Sequence, residues 1–225
     1  MTVAPLVAAI RDALREAADI ERAPGMQAYM KSSMPYLGVP LPAVRAIAKD
    51  AARAHPPLTL DELETAVRIL WDEADFREER YAASELLGDR LTEGRLELVP
   101  LYEHLATTGA WWDLVDNLSP RLSSLHDVHP VETAAIVRHW STSDDLWLRR
   151  LAIISQLGRK DRLDAALLAE VIEPNIQDRE FFIRKAIGWA LRQHARVDPE
   201  WVRTFVAEHD DLSGLSKREA LKHLG

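Results

Sequence analysis

Two residues of the 225-residue chain combine in a way that invites chemistry: Trp112 and Asp116 stand four apart in Trp111-Trp-Asp-Leu-Val-Asp116. On a helix that spacing puts the indole and the carboxylate on one face, in adjacent turns. A carboxylate beside an aromatic ring stabilises positive charge on a bound molecule, by its own charge and by the ring's electron-rich face. The plainer reading is structural, with Asp116 capping a helix or bridging two repeats and Trp112 filling core. Spacing alone leaves both open. The chain has seven tryptophans, Trp71, Trp111, Trp112, Trp140, Trp147, Trp189 and Trp201, and most must be core, since indole is the largest apolar filler.

Other constellations carry less. His126-Asp-Val-His129 lies between Pro120 and Pro130 and lacks the spacing of a helical metal motif, so a solvated loop is expected there. The phosphate-cradling, dinucleotide-binding and serine-elbow glycine patterns do not occur. The acid pairs Glu78-Glu79, Asp144-Asp145 and Asp210-Asp211 read as solvated helix starts and loops. With no cysteine, disulfides, thiolate zinc sites, iron–sulfur clusters and a thiol nucleophile are excluded, which fits a reducing cytoplasm.

The elements that must position these residues are helices. Apolar residues recur at three- and four-residue spacing, as in Leu60, Leu63, Ala66, Val67 and Leu70, and alternating strands with Asn-Gly turns are absent. Short polar caps followed by acids mark helix starts at Thr59-Leu-Asp-Glu, Ser143-Asp-Asp, Asp178-Arg-Glu and Asp198-Pro-Glu. Prolines and glycines break the pattern at Pro35 to Pro42, Pro56-Pro57, Gly109, Pro120, Pro130, Pro174 and Pro199. The expectation is about a dozen helices of roughly 8 to 18 residues joined by short connections, forming one domain over 1–225. The N-terminal apolar run carries Arg11, Asp12, Arg15 and Glu16, unlike a signal peptide, and no stretch reaches the roughly 20 apolar residues of a membrane span. A soluble, cytoplasmic protein is expected.

Charge and periodicity add a functional statement. The net charge is −8, from 28 Lys plus Arg and 36 Asp plus Glu, and the whole excess lies in residues 1–140. Arg80, Arg150 and Lys185 share one phase in matching helical segments, Arg45 lies one further period of 35 upstream, and Val115 takes the place between Arg80 and Arg150. A period near 35 with two helices per unit belongs to HEAT-like solenoids, whose stacked pairs offer one extended concave surface. Arg45, Arg80, Arg150 and Lys185 are therefore expected on one face, as a basic stripe suited to a polyanion. The alternative is that these cations bridge neighbouring repeats through the many acids. Trp112 and Asp116 occupy the one repeat that interrupts the stripe.

Five segments carry a resemblance: Tyr29-Met-Lys-Ser-Ser-Met-Pro-Tyr-Leu-Gly-Val, Trp111-Trp-Asp-Leu-Val-Asp116, Trp147-Leu-Arg-Arg150, Phe181-Phe-Ile-Arg-Lys-Ala-Ile-Gly-Trp189-Ala-Leu-Arg192, and Leu215-Ser-Lys-Arg-Glu-Ala-Leu-Lys-His. In order and separation they resemble the bacterial DNA alkylation repair glycosylases of the AlkD type, from about residue 25 onward. The resemblance implies an all-α HEAT-like solenoid with a concave DNA-binding groove. It implies excision of cationic N3- and N7-alkylated purines, such as 3-methyladenine and 7-methylguanine, from duplex DNA by a monomer using neither metal nor cofactor. Carried over by position, Trp112, Asp116 and Trp189 form the implied catalytic cluster, and Arg150 holds a phosphate beside the lesion. Tyr29 matches a tyrosine near the lesion and Lys185 and Arg192 are further backbone contacts, while the stripe adds Arg45 and Arg80 as expected DNA contacts, with Arg149 beside Arg150. Such an enzyme would sit on the nucleoid when bound to DNA.

The implied chemistry needs little equipment. An alkylated purine leaves as a neutral base, and the positive charge passes to the deoxyribose in an oxocarbenium-like transition state. Asp116 would stabilise that charge and orient water, with Trp112 and Trp189 against the sugar. The resemblance further implies contact through the deoxyribose, with the lesion left in the duplex rather than flipped into a pocket. Asp116→Asn is expected to remove excision and spare folding. The alternatives from another class are a catalytically silent scaffold binding DNA or a protein, and a recogniser of branched DNA, for which Asp116 would be dispensable.

Overall fold

A computed structural model describes residues 3–224. They are helical throughout, with fourteen α-helices, five short 3-10 helices and no strand among the described residues. The chain divides between Glu93 and Gly94 into two compact units.

The first unit contains α1 (Ala4–Glu16), α2 (Ala23–Met30), α3 (Leu41–Ala54), α4 (Leu60–Asp72) and α5 (Arg77–Leu86). Each long helix buries one apolar stripe: Leu6, Ile10 and Leu14 on α1, Val44 and Ala48 on α3, and Leu63, Val67, Leu70 and Trp71 on α4. These stripes meet because α3 packs on α1 and α5, and α4 packs on α5. Thr59 caps α4 by accepting from the Glu62 amide, as its sequence predicts.

Glu78 and Glu79 correct the expectation of a solvated helix start, for both are buried at 0% and 1% exposure. Glu78 accepts from the amides of Leu37, Gly38 and Val39 at 2.9 to 3.1 Å, and Glu79 pairs with Arg11 Nε at 2.7 Å. Glu78 faces inward because the irregular segment between α2 and α3 has backbone donors that no helix satisfies, and Glu79 because Arg11 of α1 meets it there. Gly38 is required there: its φ is +87°, and a Cβ would lie 2.1 Å from the Asp19 carbonyl oxygen.

The second unit contains α6 (Val99–Gly109), α7 (Trp112–Val115), α8 (Ser119–Val128), α9 (Pro130–Ser141), α10 (Leu146–Ile154), α11 (Ala165–Ile172), α12 (Phe181–His194), α13 (Pro199–Glu208) and α14 (Gly214–Ala220). Several helices are shorter than the periodicity suggests. The four-residue α7 passes into a 3-10 turn, Asp116–Leu118, before Pro120 in the first turn of α8. Prolines at 130 and 199 likewise open helices, where a missing N–H costs nothing. Asp198 caps α13 as expected, whereas the cap of α10 is Asp145 rather than Ser143, whose hydroxyl instead accepts from the Asp145 amide just upstream. At α12 the cap position belongs to Glu180, and Asp178 closes a turn just upstream by accepting from the Glu180 amide.

Helical repetition is visible in where helices begin. The starts of α3, α5, α7, α10, α12 and α14, from Leu41 to Gly214, follow one another at intervals of 33 to 36 residues. Within the second unit α9 packs on α10 and α11, α10 on α12, and α12 on α14. Its long-range hydrogen bonds keep the same interval: Ser119 Oγ to the Ile154 carbonyl spans 35 residues, Asn175 Nδ2 to the Ser141 carbonyl 34, and Ser216 Oγ to the Arg184 carbonyl 32. Each repeat is thus bonded to its neighbours, the nearest-neighbour logic of a helical stack.

His126 also departs from expectation. It lies within α8, buried at 4% exposure, and its Nε2 stands 3.2 Å from Ser155 Oγ. His129 Nε2 is 3.0 Å from the Gly94 carbonyl. Both rings serve packing: α8 runs through Val128, and His129 stands between α8 and α9. No described helix is long and apolar enough to cross a membrane.

Candidate active site

The seven tryptophans separate by what they touch. Trp71 and Trp140 are fully buried. Trp111 and Trp147 pack with Phe182, at ring separations of 5.2 to 6.0 Å, and Trp201 lies between His194 and Phe205. Trp112 and Trp189 are partly exposed and pack on no other aromatic ring among the described residues.

Asp116 opens the 3-10 turn directly after α7, one turn beyond Trp112. Trp111 enters α7 from extended backbone, φ −155° and ψ 147°, which directs its ring into the Trp147–Phe182 cluster. The Asp116 carboxylate receives Arg150 Nε at 2.7 Å and Nη2 at 2.8 Å. Arg150 Nη1 donates to the Phe182 carbonyl at 2.6 Å, so one guanidinium ties the turn after α7 to the first turn of α12. Its carbon lies 6.0 Å from the Phe182 ring centre. The pair is largely withdrawn from water, with side-chain exposures of 6% for Arg150 and 16% for Asp116. Burial pushes the Asp116 carboxyl above the ordinary aspartate range, against the opposing pull of Arg150.

This geometry is the inter-repeat ion pair that spacing left open for Asp116. Three of the five guanidinium N–H groups of Arg150 have protein acceptors. Arg149 is likewise tied down: Nη1 donates to the carbonyls of Ser143 and Asp144, and Nη2 to Asp178 at 3.1 Å. Lys185 Nζ, at 2.9 Å, and Arg192 Nη1 both reach the carboxylate of Glu219.

Three further candidates belong to the first unit. Tyr29 stands 78% exposed at the end of α2. Arg45 pairs with Glu85 at 2.9 Å and remains half exposed. Arg80 turns toward α4, donating to the Trp71 carbonyl at 3.2 Å with its guanidinium 5.1 Å above the Trp71 ring. The cations of the expected stripe are thus held by protein partners. Of the acids that hold them, Glu85 and Glu219 were not singled out by spacing, nor was Asp178 as the partner of Arg149. The signal for one was present: Glu219 lies 34 residues after Lys185, as Asp116 lies 34 before Arg150, so each partner stands one repeat away.

No group of three or more His, Asp or Glu side chains among the described residues is arranged to hold a metal ion. A cleft of about 720 Å3 between α1 and α4, lined by Val7, Arg11, Arg15 and Ile69 among others, contains none of the candidate residues.

Comparison with known proteins agrees with this architecture. The family model described as "DNA alkylation repair enzyme" matches residues 10–224. A solved structure, "Predicted DNA alkylation repair enzyme from Enterococcus faecalis", is similar at 31% identity, covering 92% of this chain and 97% of its own, with a TM-score of 0.84. No curated protein matches. With a helical-repeat fold, and with the family's model covering nearly its whole length, the chain belongs to the DNA alkylation repair enzyme family.

Proposed function

We propose that this protein is a monofunctional DNA glycosylase that removes positively charged N3- and N7-alkylated purines from duplex DNA. The observation that carries the reading is the buried Asp116–Arg150 pair, one turn beyond Trp112. Trp112 and Trp189 are partly exposed tryptophans that pack on no other aromatic ring among the described residues. A desolvated, rigidly held carboxylate one turn from a partly exposed indole suits a transient cation far better than a phosphate.

In the proposed reaction the C1′–N bond breaks and its electron pair leaves with the purine, whose alkyl-induced charge is thereby neutralised. The positive charge passes to C1′ and the ring oxygen, giving the oxocarbenium-like species that Asp116 stabilises. Water adds to C1′ and loses a proton, leaving an abasic deoxyribose. Trp112 and Trp189 lie against the sugar and favour its charge through their ring faces. Arg150 is a positioning residue in this reading, since its fork orients both carboxylate oxygens. Its two free N–H groups face the lesion-flanking phosphate. Lys185, Arg192, Arg45 and Tyr29 supply contacts along the DNA, where the cations exchange protein acids for phosphates.

The test is release of free base from a duplex carrying a single 7-methylguanine, with wild type compared with Asp116→Asn above spontaneous depurination. Release by wild type that the variant, with its helical circular dichroism intact, loses at least about 100-fold supports the proposal. Retained duplex binding with no release by wild type would replace it with the scaffold reading.

A further inference from the structure

Glu219 is the one carboxylate that two of the proposed DNA-contacting cations share. It lies on α14 with its side chain 18% exposed, and accepts from Lys185 Nζ at 2.9 Å and from Arg192 Nη1. Lys185 and Arg192 are seven residues apart on α12, two turns along one face. The acid reaches both because α14 comes unusually close at the position between them. Gly188 sits there, and a Cβ on it would lie 2.5 Å from Glu219 Cβ and 3.1 Å from the Ser216 carbonyl oxygen. Ser216, fully buried, locks the approach by donating to the Arg184 carbonyl at 3.0 Å. Backbone packing, rather than a chance surface encounter, therefore places the carboxylate where a phosphate bridging the two cations would otherwise sit.

From this geometry we infer that Glu219 is a specificity-determining residue that masks Lys185 and Arg192, holding down the affinity of the enzyme for undamaged DNA backbone. The inference rests on the glycosylase reading above. Its physical basis is competition: a phosphate must displace a preplaced carboxylate, and the trio presents a net charge of one where two cations alone would present two. Fewer condensed counterions are released on binding, so affinity and its salt dependence both fall. The masking suits an enzyme that meets a vast excess of undamaged duplex, because tight backbone binding would hold it away from lesions. Arg45 with Glu85 and Arg149 with Asp178 repeat the arrangement one cation at a time.

The experiment measures binding of an undamaged duplex over a salt series, together with inhibition of 7-methylguanine release by that duplex as competitor. Glu219→Gln is expected to bind about tenfold more tightly near 0.1 M salt, with a log–log salt slope steeper by about 1 to 2. The competitor concentration that halves release should fall by a similar factor. Glu219→Asp, which keeps the charge, should stay within about twofold of wild type, a benchmark of the same counterion argument. Glu219→Met retains the stem beside Gly188 without the charge, and replaces the Gln variant if that one does not fold. Unchanged or weaker binding by the folded neutral variants, or equal tightening by Glu219→Asp, overturns the inference while base release by wild type leaves the glycosylase reading standing. Wild type that neither releases base nor binds duplex overturns both.

Discussion

Asp116 and Arg150 meet through two parallel hydrogen bonds, 2.7 and 2.8 Å long, across 34 residues of sequence. The pair joins consecutive repeats and lies almost entirely out of water, so it binds fold and proposed chemistry together. It revises the expectation that Asp116→Asn spares folding, because an amide returns only one acceptor to a buried guanidinium.

Removing the cation should be worse than removing the acid. Arg150→Ala leaves a buried carboxylate unpaired and the Phe182 carbonyl without its donor, and is expected to cost about 3 to 5 kcal/mol in urea unfolding. Arg150→Lys restores a charge without the two-pronged geometry and should recover only part of that loss. The same pair shapes the pH profile of base release. Asp116 must be ionised to act, and burial raises its pKa. The rate should therefore fall with decreasing pH already above the ordinary aspartate range, and at still higher pH in Arg150→Lys, where the stabilising fork is weakened.

His126 makes stability sensitive to mild acid. Burial, reinforced by the Arg159 charge and only partly offset by Asp127 and Asp164, lowers its pKa from 6.5 to about 4. In this window the unfolded chain binds a proton that the folded chain refuses, so stability falls as pH drops from about 6.5 toward 4. Between pH 7 and 5 the loss from this residue is about 2 kcal/mol. Urea midpoints at the two pH values should show it, and His126→Asn should narrow the difference by about that amount whatever its stability at pH 7.

Glu78 is expected to be indispensable to the first unit. Three amides, those of Leu37, Gly38 and Val39, converge on its carboxylate. Glu78→Ala would leave them buried without an acceptor, at about 1 to 3 kcal/mol for each unsatisfied group. The expected outcome is a loss of at least about 3 kcal/mol, with faster hydrogen exchange at all three amides. Glu78→Gln, which keeps one acceptor oxygen, should lose less. Unchanged exchange at those amides would show that another group satisfies them.

Much of the architecture is legible in the sequence because it depends on local chemistry. Three- and four-residue apolar spacing dictates helices, and Thr59 and Asp198 mark starts with side chains that cap the nearest amides. A recurring cation near every thirty-fifth residue reports the repeat. Trp112 and Asp116 stand out because their separation alone places them on adjacent turns. Partnership across repeats was settled only by the tertiary structure. Spacing assigns Arg45, Arg150 and Lys185 to equivalent faces, yet each face meets an adjacent repeat, where Glu85, Asp116 and Glu219 wait. The acids of Glu78-Glu79 look solvated from their neighbours in sequence and are buried because distant groups need their oxygens, three backbone amides for Glu78 and Arg11 for Glu79. A side chain's period tells which way it points, and only the packing of another helix against that face decides whether it meets water, an opposite charge or a ligand.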